Sequence, residues 1–344
     1  MTEFEFIAWI KAQVQASSQA NLRTDIVLGI GDDCALIQAR ASELIAISTD
    51  TLVQGTHFYP GTNPLAIGHK AAASNLSDLA AMGAQPIWCT LALTLPSWDE
   101  KLACGIVTGA LQVLQRVDVE LVGGNTTRGP LSITLTVGGS VPEAGALRRS
   151  GAKVGDLVFV TGTLGDAGGG LVLRRQQRAE ITPVELEAIG GLRPDANISA
   201  QATLLARLDR PTARVQFGQR LRGIASAALD ISDGFLQDLQ HLCEQSGVGA
   251  LIDIAALPLS DSLLACFNLL SARQLAATAG EDYELCFTAE SHRLDSLKQL
   301  ADECGIAVTQ VGIVCTTSGD APLVQCWSKD KVMPKLDSRG FQHF

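Results

Sequence analysis

Aspartates in this 344-residue chain cluster directly after apolar runs that are typical of β-strands. The groups are Asp32 and Asp33 after residues 26–30, Ser48, Thr49 and Asp50 after residues 44–47, and Asp230 and Asp233 after residues 227–229. Carboxylates that lie close together repel one another unless a cation sits among them, and Mg²⁺ prefers such oxygen ligands. One group alone is explained more simply as a turn or a helix cap. Three groups, each after a predicted strand, favour a Mg²⁺ site for a phosphate substrate at one sheet edge.

A further carboxylate, Asp78, interrupts an apolar segment that has the spacing of a helix. Asn63 as N-cap and Pro64 at the first helical position predict where this helix starts, and Gly83 predicts where it ends. A carboxylate among buried apolar residues needs a partner, and a metal ion is a suitable one. An aspartate on the solvent face of the helix is the alternative.

Strand-like and helix-like segments alternate along the chain, which predicts an α/β (α+β) fold with two domains. A polar, glycine-rich stretch at residues 148–156 predicts the boundary, so that the domains comprise residues 1–150 and 151–344. Strands are predicted at residues 88–95, 120–122, 131–137, 157–161, 227–231, 250–254, 284–288 and 307–314. Helices are predicted at residues 99–117, 198–208 and 235–246, besides the one that contains Asp78.

The glycine-rich segment at residues 162–170 invites interpretation as a phosphate-binding loop, because backbone N–H groups at a helix N-terminus bind phosphate. The chain contains no G-x-x-x-x-G-K-[ST] motif and no protein-kinase motifs. Tight packing between a strand and a helix explains the glycines equally simply. If the chain binds ATP, it does so without either of these motifs.

The composition, with 47% hydrophobic residues, 18% charged residues and a net charge of -10, is that of a globular protein. The acidic balance argues against binding to nucleic acid or anionic membrane, since both require surplus Lys and Arg. The N-terminus, Met1–Glu5, is acidic where a signal peptide would be basic, and no apolar run reaches the length of a membrane span. We therefore expect a cytoplasmic protein.

The order of short motifs along nearly the whole chain resembles that of the thiamine-monophosphate kinase family, whose superfamily also includes aminoimidazole ribonucleotide synthetase and selenophosphate synthetase. The motifs are Gly29–Ala35, Ser48–Val53, His57–Phe58, Asn75–Ala84, Gly123–Pro130, Arg149–Ala152, Asp230–Gly234 and Gly280–Leu285. Each motif is unremarkable alone, but together and in this order they are specific. The Ser48–Asp50 and Glu281–Leu285 segments favour the kinase over its relatives.

This resemblance implies transfer of the γ-phosphoryl group of ATP to thiamine monophosphate, which gives thiamine diphosphate and ADP. The acceptor is an ionised phosphate oxygen, so positioning and several Mg²⁺ ions are expected to suffice without a catalytic base. The resemblance also implies a two-domain synthetase-superfamily fold and a homodimer in which the N-terminal sheets pair across a two-fold axis. The active site would lie in the cleft between the N-terminal domain and the C-terminal α/β domain.

Individual residues of the chain match functional positions of the family. The metal-binding positions match Asp33, Ser48, Thr49, Asp50, Asp78, Asn125, Asp230 and Asp233, and the ATP-binding positions match Gly124, Asn125, Arg149 and Ser232. The positions that bind thiamine monophosphate match His57, Glu281 and Phe341. Glu281 would bind a ring amine or offset the thiazolium charge, and Phe341 would stack on the cationic heterocycle.

Two positions depart from the family pattern. Phe341 replaces a more usual Tyr or Trp, which keeps stacking but removes a hydrogen bond. Asn125 replaces the Asp of a Gly-Gly-Asp-Thr motif, so that Mg²⁺ is expected to bind less tightly. Natural tolerance, an engineered substitution and drift away from catalysis all stay open as explanations. The alternative functions are therefore another ATP-dependent synthetase of the superfamily and a catalytically weak protein that binds nucleotide and metal.

Overall fold

The computed structural model of the chain describes residues 1–17, 25–30, 34–181, 192–193, 196–317, 323–334 and 336. The chain forms two compact units. One unit comprises Met1–Leu79 and Ala84–Ala146, and the other comprises Ala80–Gly83 and the chain from Leu147 onward. The roles expected for residues 1–150 and 151–344 stay predictions.

The N-terminal unit is built on a four-stranded sheet in the order β3-β6-β4-β5, in which only β4 and β5 are parallel neighbours. The elements up to residue 146 are α1 (Glu3–Ser17), β1 (Ile26–Leu28), β2 (Leu36–Ile37), β3 (Glu43–Val53), α2 (Pro64–Ala81), β4 (Gln85–Leu95), α3 (Glu100–Leu114), β5 (Glu120–Arg128) and β6 (Ser132–Pro142). β1 and β2 form a separate antiparallel pair.

One face of the four-stranded sheet is buried, and the other is open within this unit. Ile133, Leu135 and Val137 of β6 are fully buried, whereas Thr134 and Thr136 between them are only half-buried. This alternation follows from the two-residue period of a strand. The helices α2 and α3 pack so closely that a side chain on Gly68 or Gly109 would overlap the backbone of the other helix. Ser48 of β3, which lies opposite the buried Val137, donates a hydrogen bond to Asp78 of α2, so the buried face is the helix-facing one.

The C-terminal unit is built on a six-stranded sheet in the order β12-β9-β11-β7-β10-β8, in which only β12 and β9 pair in parallel. Its elements are β7 (Leu157–Thr161), α4 (Asp166–Gln177), α5 (Ile198–Asp209), α6 (Val215–Leu221), β8 (Ala227–Asp230), α7 (Phe235–Ser246), β9 (Gly249–Asp253), α8 (Asp261–Cys266), α9 (Leu269–Thr278), β10 (Leu285–Ala289), α10 (Leu294–Cys304), β11 (Val308–Cys315) and β12 (Val324–Trp327). One core cluster joins the sheet to α7, and a second joins α4, α5, α8 and α9.

The expectation that Ser48, Thr49 and Asp50 follow the end of a strand is wrong. β3 continues through them to Val53, and all eleven of its residues pair with β6. Asn125 likewise lies within β5, which is longer than the predicted strand at residues 120–122. The helix around Asp78 and the strands and helices that flank Asp230 lie where the sequence predicts them. Among the described helices, none combines the length and the hydropathy that a membrane span requires.

Candidate active site

Ser48, Asp50 and Asp78 come together on the helix-facing side of the N-terminal sheet. The Ser48 hydroxyl donates a hydrogen bond to Asp78 Oδ2 over 2.6 Å, which links β3 to α2. The backbone N–H of Asp50 donates to Asn75 Oδ1 over 3.0 Å, one helical turn before Asp78. Ser48 and Asp50 share one face because they are two residues apart on a strand. The side chains thus present hydroxyl and carboxylate oxygens, as Mg²⁺ binding would require.

Thr49 and Asn125 lie on the opposite, open face of the same sheet. The Thr49 hydroxyl is 2.9 Å from the hydroxyl of Thr136 on β6. Asn125 is exposed and pairs with Ala92 of β4. Three strand spacings separate β3 from β5, which puts about 14 Å between the two edge strands. Asn125 therefore cannot ligate the same ion as Ser48 and Asp78 of its own chain, and Thr49 would have to offer its carbonyl rather than its hydroxyl.

His57 lies in the loop after β3, and its ring orientation is fixed by the backbone. The N–H of Val53 donates to Nδ1 of His57 over 3.0 Å, so the neutral imidazole carries its proton on Nε2. The Lys70 side chain, which is only 3% exposed, donates from Nζ to the carbonyl oxygen of His57 over 3.0 Å. The loop therefore presents a ring N–H donor.

In the C-terminal unit, Asp230 is the last residue of β8, and the next turn carries Ser232 and Asp233. This turn is shaped by Asp238, whose Oδ2 accepts the backbone N–H groups of residues 232, 233 and 234 over 3.0, 3.0 and 3.1 Å. Burial, and then the charge of Asp233, raise the pKa of Asp238 to about 7. The sequence analysis did not identify Asp238, although an acidic residue in the first turn of a helix is a recognised signal of a helix N-terminus.

Glu281 lies beside this turn, in the segment between α9 and β10. Its backbone N–H donates to the carbonyl oxygen of Ser232 over 2.8 Å, and the N–H of Tyr283 donates to that of Ile231 over 2.9 Å. The structure thus brings Glu281 together with Asp230, Ser232 and Asp233, although about fifty residues of sequence separate them.

The glycine-rich segment at residues 162–170 serves packing, and an internal carboxylate occupies its N–H groups. Asp282, which is 1% exposed, accepts the N–H groups of Gly165 and Ala167 over 2.6 and 3.2 Å. A side chain on Gly170 would overlap the backbone of Leu204. Burial raises the pKa of Asp282 to about 7, against the lowering effects of the Gly165 hydrogen bond and the Arg207 charge. These contacts favour the packing interpretation of the segment.

The remaining predicted site residues are Arg149, Gly124, Asp33 and Phe341. Arg149 is exposed, and its carbonyl oxygen accepts a hydrogen bond from the Ser246 hydroxyl over 2.9 Å. Gly124 lies on β5 beside Leu91. Asp33 and Phe341 lie outside the described residues. Within the part of the chain that the structure describes, no group of three His, Cys, Asp or Glu side chains is arranged to hold a metal ion.

Comparison with known proteins identifies the family. The model of the AIR synthase related protein, N-terminal domain, matches residues 31–141, and that of its C-terminal domain matches residues 153–324. Thiamine-monophosphate kinase of Salmonella typhimurium is 42% identical to this chain, over 99% of the chain and 98% of its own length. The chain belongs to the thiamine-monophosphate kinase family.

Solved structures agree with this membership of the kinase family. Thiamine-monophosphate kinase from Stenotrophomonas maltophilia K279a is 42% identical, covers 92% of this chain with 94% of its own, and superposes with a TM-score of 0.81. AaThiL complexed with AMPPCP and TMP is 30% identical, covers 99% of this chain with 97% of its own, and gives a TM-score of 0.71. The expected family and two-domain fold are thereby confirmed.

Proposed function

We propose that this chain transfers the γ-phosphoryl group of ATP to thiamine monophosphate and releases thiamine diphosphate and ADP. The observation that carries the proposal is the full-length similarity to thiamine-monophosphate kinases, at 42% identity. A relative that is 30% identical binds AMPPCP, an ATP analogue, together with TMP. Donor and acceptor of the proposed reaction are thus bound together by one protein of this family.

The proposed reaction requires the protein to position two anionic substrates and does not require it to remove a proton. The acceptor phosphate is already ionised, so a general base adds little, and alignment with charge neutralisation lowers the barrier. The Nε2 proton of His57, whose position follows from the hydrogen bond at Nδ1, suits the acceptor phosphate. Glu281 suits the cationic acceptor, and Phe341 would stack on its rings. Arg149, Ser232 and Gly124 would contact the nucleotide.

The residues present fit Mg²⁺. Mg²⁺ binds proteins through one or two carboxylates and keeps water or substrate phosphate in its other positions, so a cluster of three carboxylates is not required. Asp78 and Asp50, with the Ser48 hydroxyl 2.6 Å from Asp78, offer such an oxygen set. Asp33, Asp230 and Asp233 would supply further sites. Bound Mg²⁺ would neutralise charge on the phosphates of ATP and of the acceptor.

We further propose a homodimer that buries the open face of the N-terminal sheet. Ile45 and Ile47 on this face of β3 are 61% and 62% exposed, beside the hydroxyl pairs Thr49–Thr136 and Thr51–Thr134. β3 is an edge strand, and an exposed apolar edge strand is usually covered by a partner. Asn125 shares this face, so a partner subunit would lie against the site that Asn125 serves.

The alternative is a catalytically weak protein that binds nucleotide and metal, and Asn125 favours it. An amide carbonyl lacks the charge of the carboxylate at the family's position, so the ion there would be held less tightly. A measurement of turnover distinguishes an active kinase from a protein that only binds nucleotide and metal.

The test is ADP release by the purified protein with ATP, Mg²⁺ and thiamine monophosphate. We expect release that depends on thiamine monophosphate, stops with EDTA and returns with Mg²⁺. Unphosphorylated thiamine is the control acceptor and should give no release. ADP release that does not depend on thiamine monophosphate would contradict the proposal. Binding of ATP and thiamine monophosphate without ADP release would establish the alternative of a catalytically weak binding protein.

A further inference from the structure

The segment Gly280–Glu284, here called the acceptor loop, has an unusual backbone. Glu281 and Tyr283 adopt left-handed conformations, with φ angles of 68° and 51°. Residues with side chains rarely adopt this conformation, because it costs free energy, and it persists where the surroundings enforce it. Asp282 lies between the two and is almost completely buried. The conformation of the acceptor loop must therefore be imposed by its contacts.

Glu284 anchors the C-terminal end of the acceptor loop in a buried ion cluster. Its side chain is fully buried and accepts hydrogen bonds from Arg214 Nε and Nη2 over 2.6 and 2.5 Å and from Arg207 Nη2 over 3.0 Å. The Thr161 hydroxyl donates to Glu284 Oε2 over 2.7 Å and accepts the N–H of Leu285. A buried carboxylate with these donors is a rigid anchor, since losing any of them would leave a buried polar group unsatisfied.

The acceptor loop is also joined to the turn that carries the aspartates. The N–H groups of Glu281 and Tyr283 donate to the carbonyl oxygens of Ser232 and Ile231, and the N–H of Ile231 donates to that of Glu284 over 2.8 Å. Gly280 leaves no room for a side chain, because a Cβ there would overlap the carbonyl oxygen of Ser232. A displacement of Glu284 would therefore displace Glu281.

We infer that Glu284, held by Arg207 and Arg214, is a positioning residue that sets Glu281 in place to bind the cationic acceptor substrate. This inference rests on the proposed kinase function and on the proposed contact of Glu281. Glu284 itself is fully buried, so a substrate would not reach its side chain. Phosphoryl transfer depends on alignment of donor and acceptor, so a small shift of Glu281 weakens acceptor binding.

Glu284→Gln tests the inference, because it keeps the size of the side chain and removes the charge that holds both arginines. We expect the KM for thiamine monophosphate to rise at least about tenfold and the KM for ATP to change less than about threefold. Glu284→Asp, which retains the charge, should fall between wild type and Glu284→Gln. The control is Asp209→Asn, which breaks the half-buried Arg174–Asp209 pair between α4 and α5 and should leave both KM values unchanged.

Circular dichroism establishes that each variant is folded before the kinetics are compared. If Glu284→Gln does not fold, Arg214→Lys replaces it, because lysine keeps a positive charge but cannot reproduce the two hydrogen bonds from Arg214 Nε and Nη2 to Glu284. The same rise in KM is expected. A lower kcat with both KM values unchanged would indicate a merely structural role and overturn the inference, as would unchanged kinetics. A wild-type protein without acceptor-dependent turnover would overturn the proposed function and this inference together.

Discussion

Replacing Asp282 with Asn should change how the stability of the protein depends on pH. Asp282 is 1% exposed, and burial raises its pKa to about 7. The unfolded chain has the ordinary aspartate pKa of about 3.9. Between these two values the folded state holds a proton that the unfolded state has lost, so the contribution of Asp282 to stability falls as pH rises. It is fully present below about pH 4 and is lost above about pH 7.

The size of the effect follows from the two pKa values. Between pH 5 and pH 8 the group should lower the unfolding free energy of wild type by roughly 3 kcal/mol. The amide introduced by Asp282→Asn does not titrate, and it resembles the protonated carboxyl. We therefore expect the stability of wild type minus that of Asp282→Asn to fall by about this amount over that interval, when both are measured by urea denaturation. Other titrating groups are common to both proteins and cancel in the difference.

The opposite result is a stability difference that stays constant, or that grows in favour of wild type towards pH 8. It would mean that Arg207 and the N–H groups of Gly165 and Ala167 keep Asp282 ionised despite its burial. Asp330→Asn gives a control with the opposite sign. Arg273 holds the pKa of Asp330 well below its usual range, so the wild-type advantage over that variant should fall with decreasing pH.

Three further predictions concern metal, nucleotide and assembly. Asp78→Ala should lower kcat/KM at saturating ATP by at least about 100-fold, and Ser48→Ala should raise the Mg²⁺ requirement about tenfold because it removes the 2.6 Å hydrogen bond to Asp78. Asn125→Asp should raise turnover about tenfold and lower the Mg²⁺ requirement, since a full charge replaces a carbonyl dipole. Ile45→Lys combined with Ile47→Lys should convert a dimer into 36.2 kDa monomers in sedimentation experiments, because an unpaired charge resists burial.

Each of these predictions has an outcome that contradicts it. Mg²⁺ titrations of Asp78→Ala and Ser48→Ala that superimpose on the wild-type curve would remove these residues from the metal site. Identical titrations for wild type and Asn125→Asp would mean that Asn125 is a harmless variant. Ile198→Lys, at a position that is 84% exposed on α5, is the control for assembly. A double variant as dimeric as that control would exclude the open sheet face as the interface.

Local sequence pattern predicted the elements that position part of the site. Asn63 and Pro64 correctly predict the start of α2 and hence the setting of Asp78. The apolar run before Asp230 correctly predicts β8. β3 is longer than predicted because Ser and Asp disfavour strands in isolation, whereas pairing with β6 along its full length overrides that preference. The split of Ser48 and Thr49 onto opposite faces follows only once this strand is known.

Contacts between distant residues could not be predicted from local pattern. Arg207 and Arg214 precede Glu284 by 77 and 70 residues, and only the packed C-terminal unit brings the three together. The carboxylate of Asp282 accepts hydrogen bonds from the backbone N–H groups at the start of α4. A segment that resembles a phosphate-binding loop in sequence therefore binds a side chain of the same chain. Both cases depend on tertiary structure that periodicity does not encode.

The fate of the label from [γ-³²P]ATP shows whether the protein transfers the γ-phosphoryl group to thiamine monophosphate. Direct phosphoryl transfer predicts that the label appears in thiamine diphosphate, in a one-to-one ratio with ADP and only when thiamine monophosphate and Mg²⁺ are both present. Label that accumulates in inorganic phosphate, or remains attached to the protein, would contradict direct transfer to the acceptor phosphate.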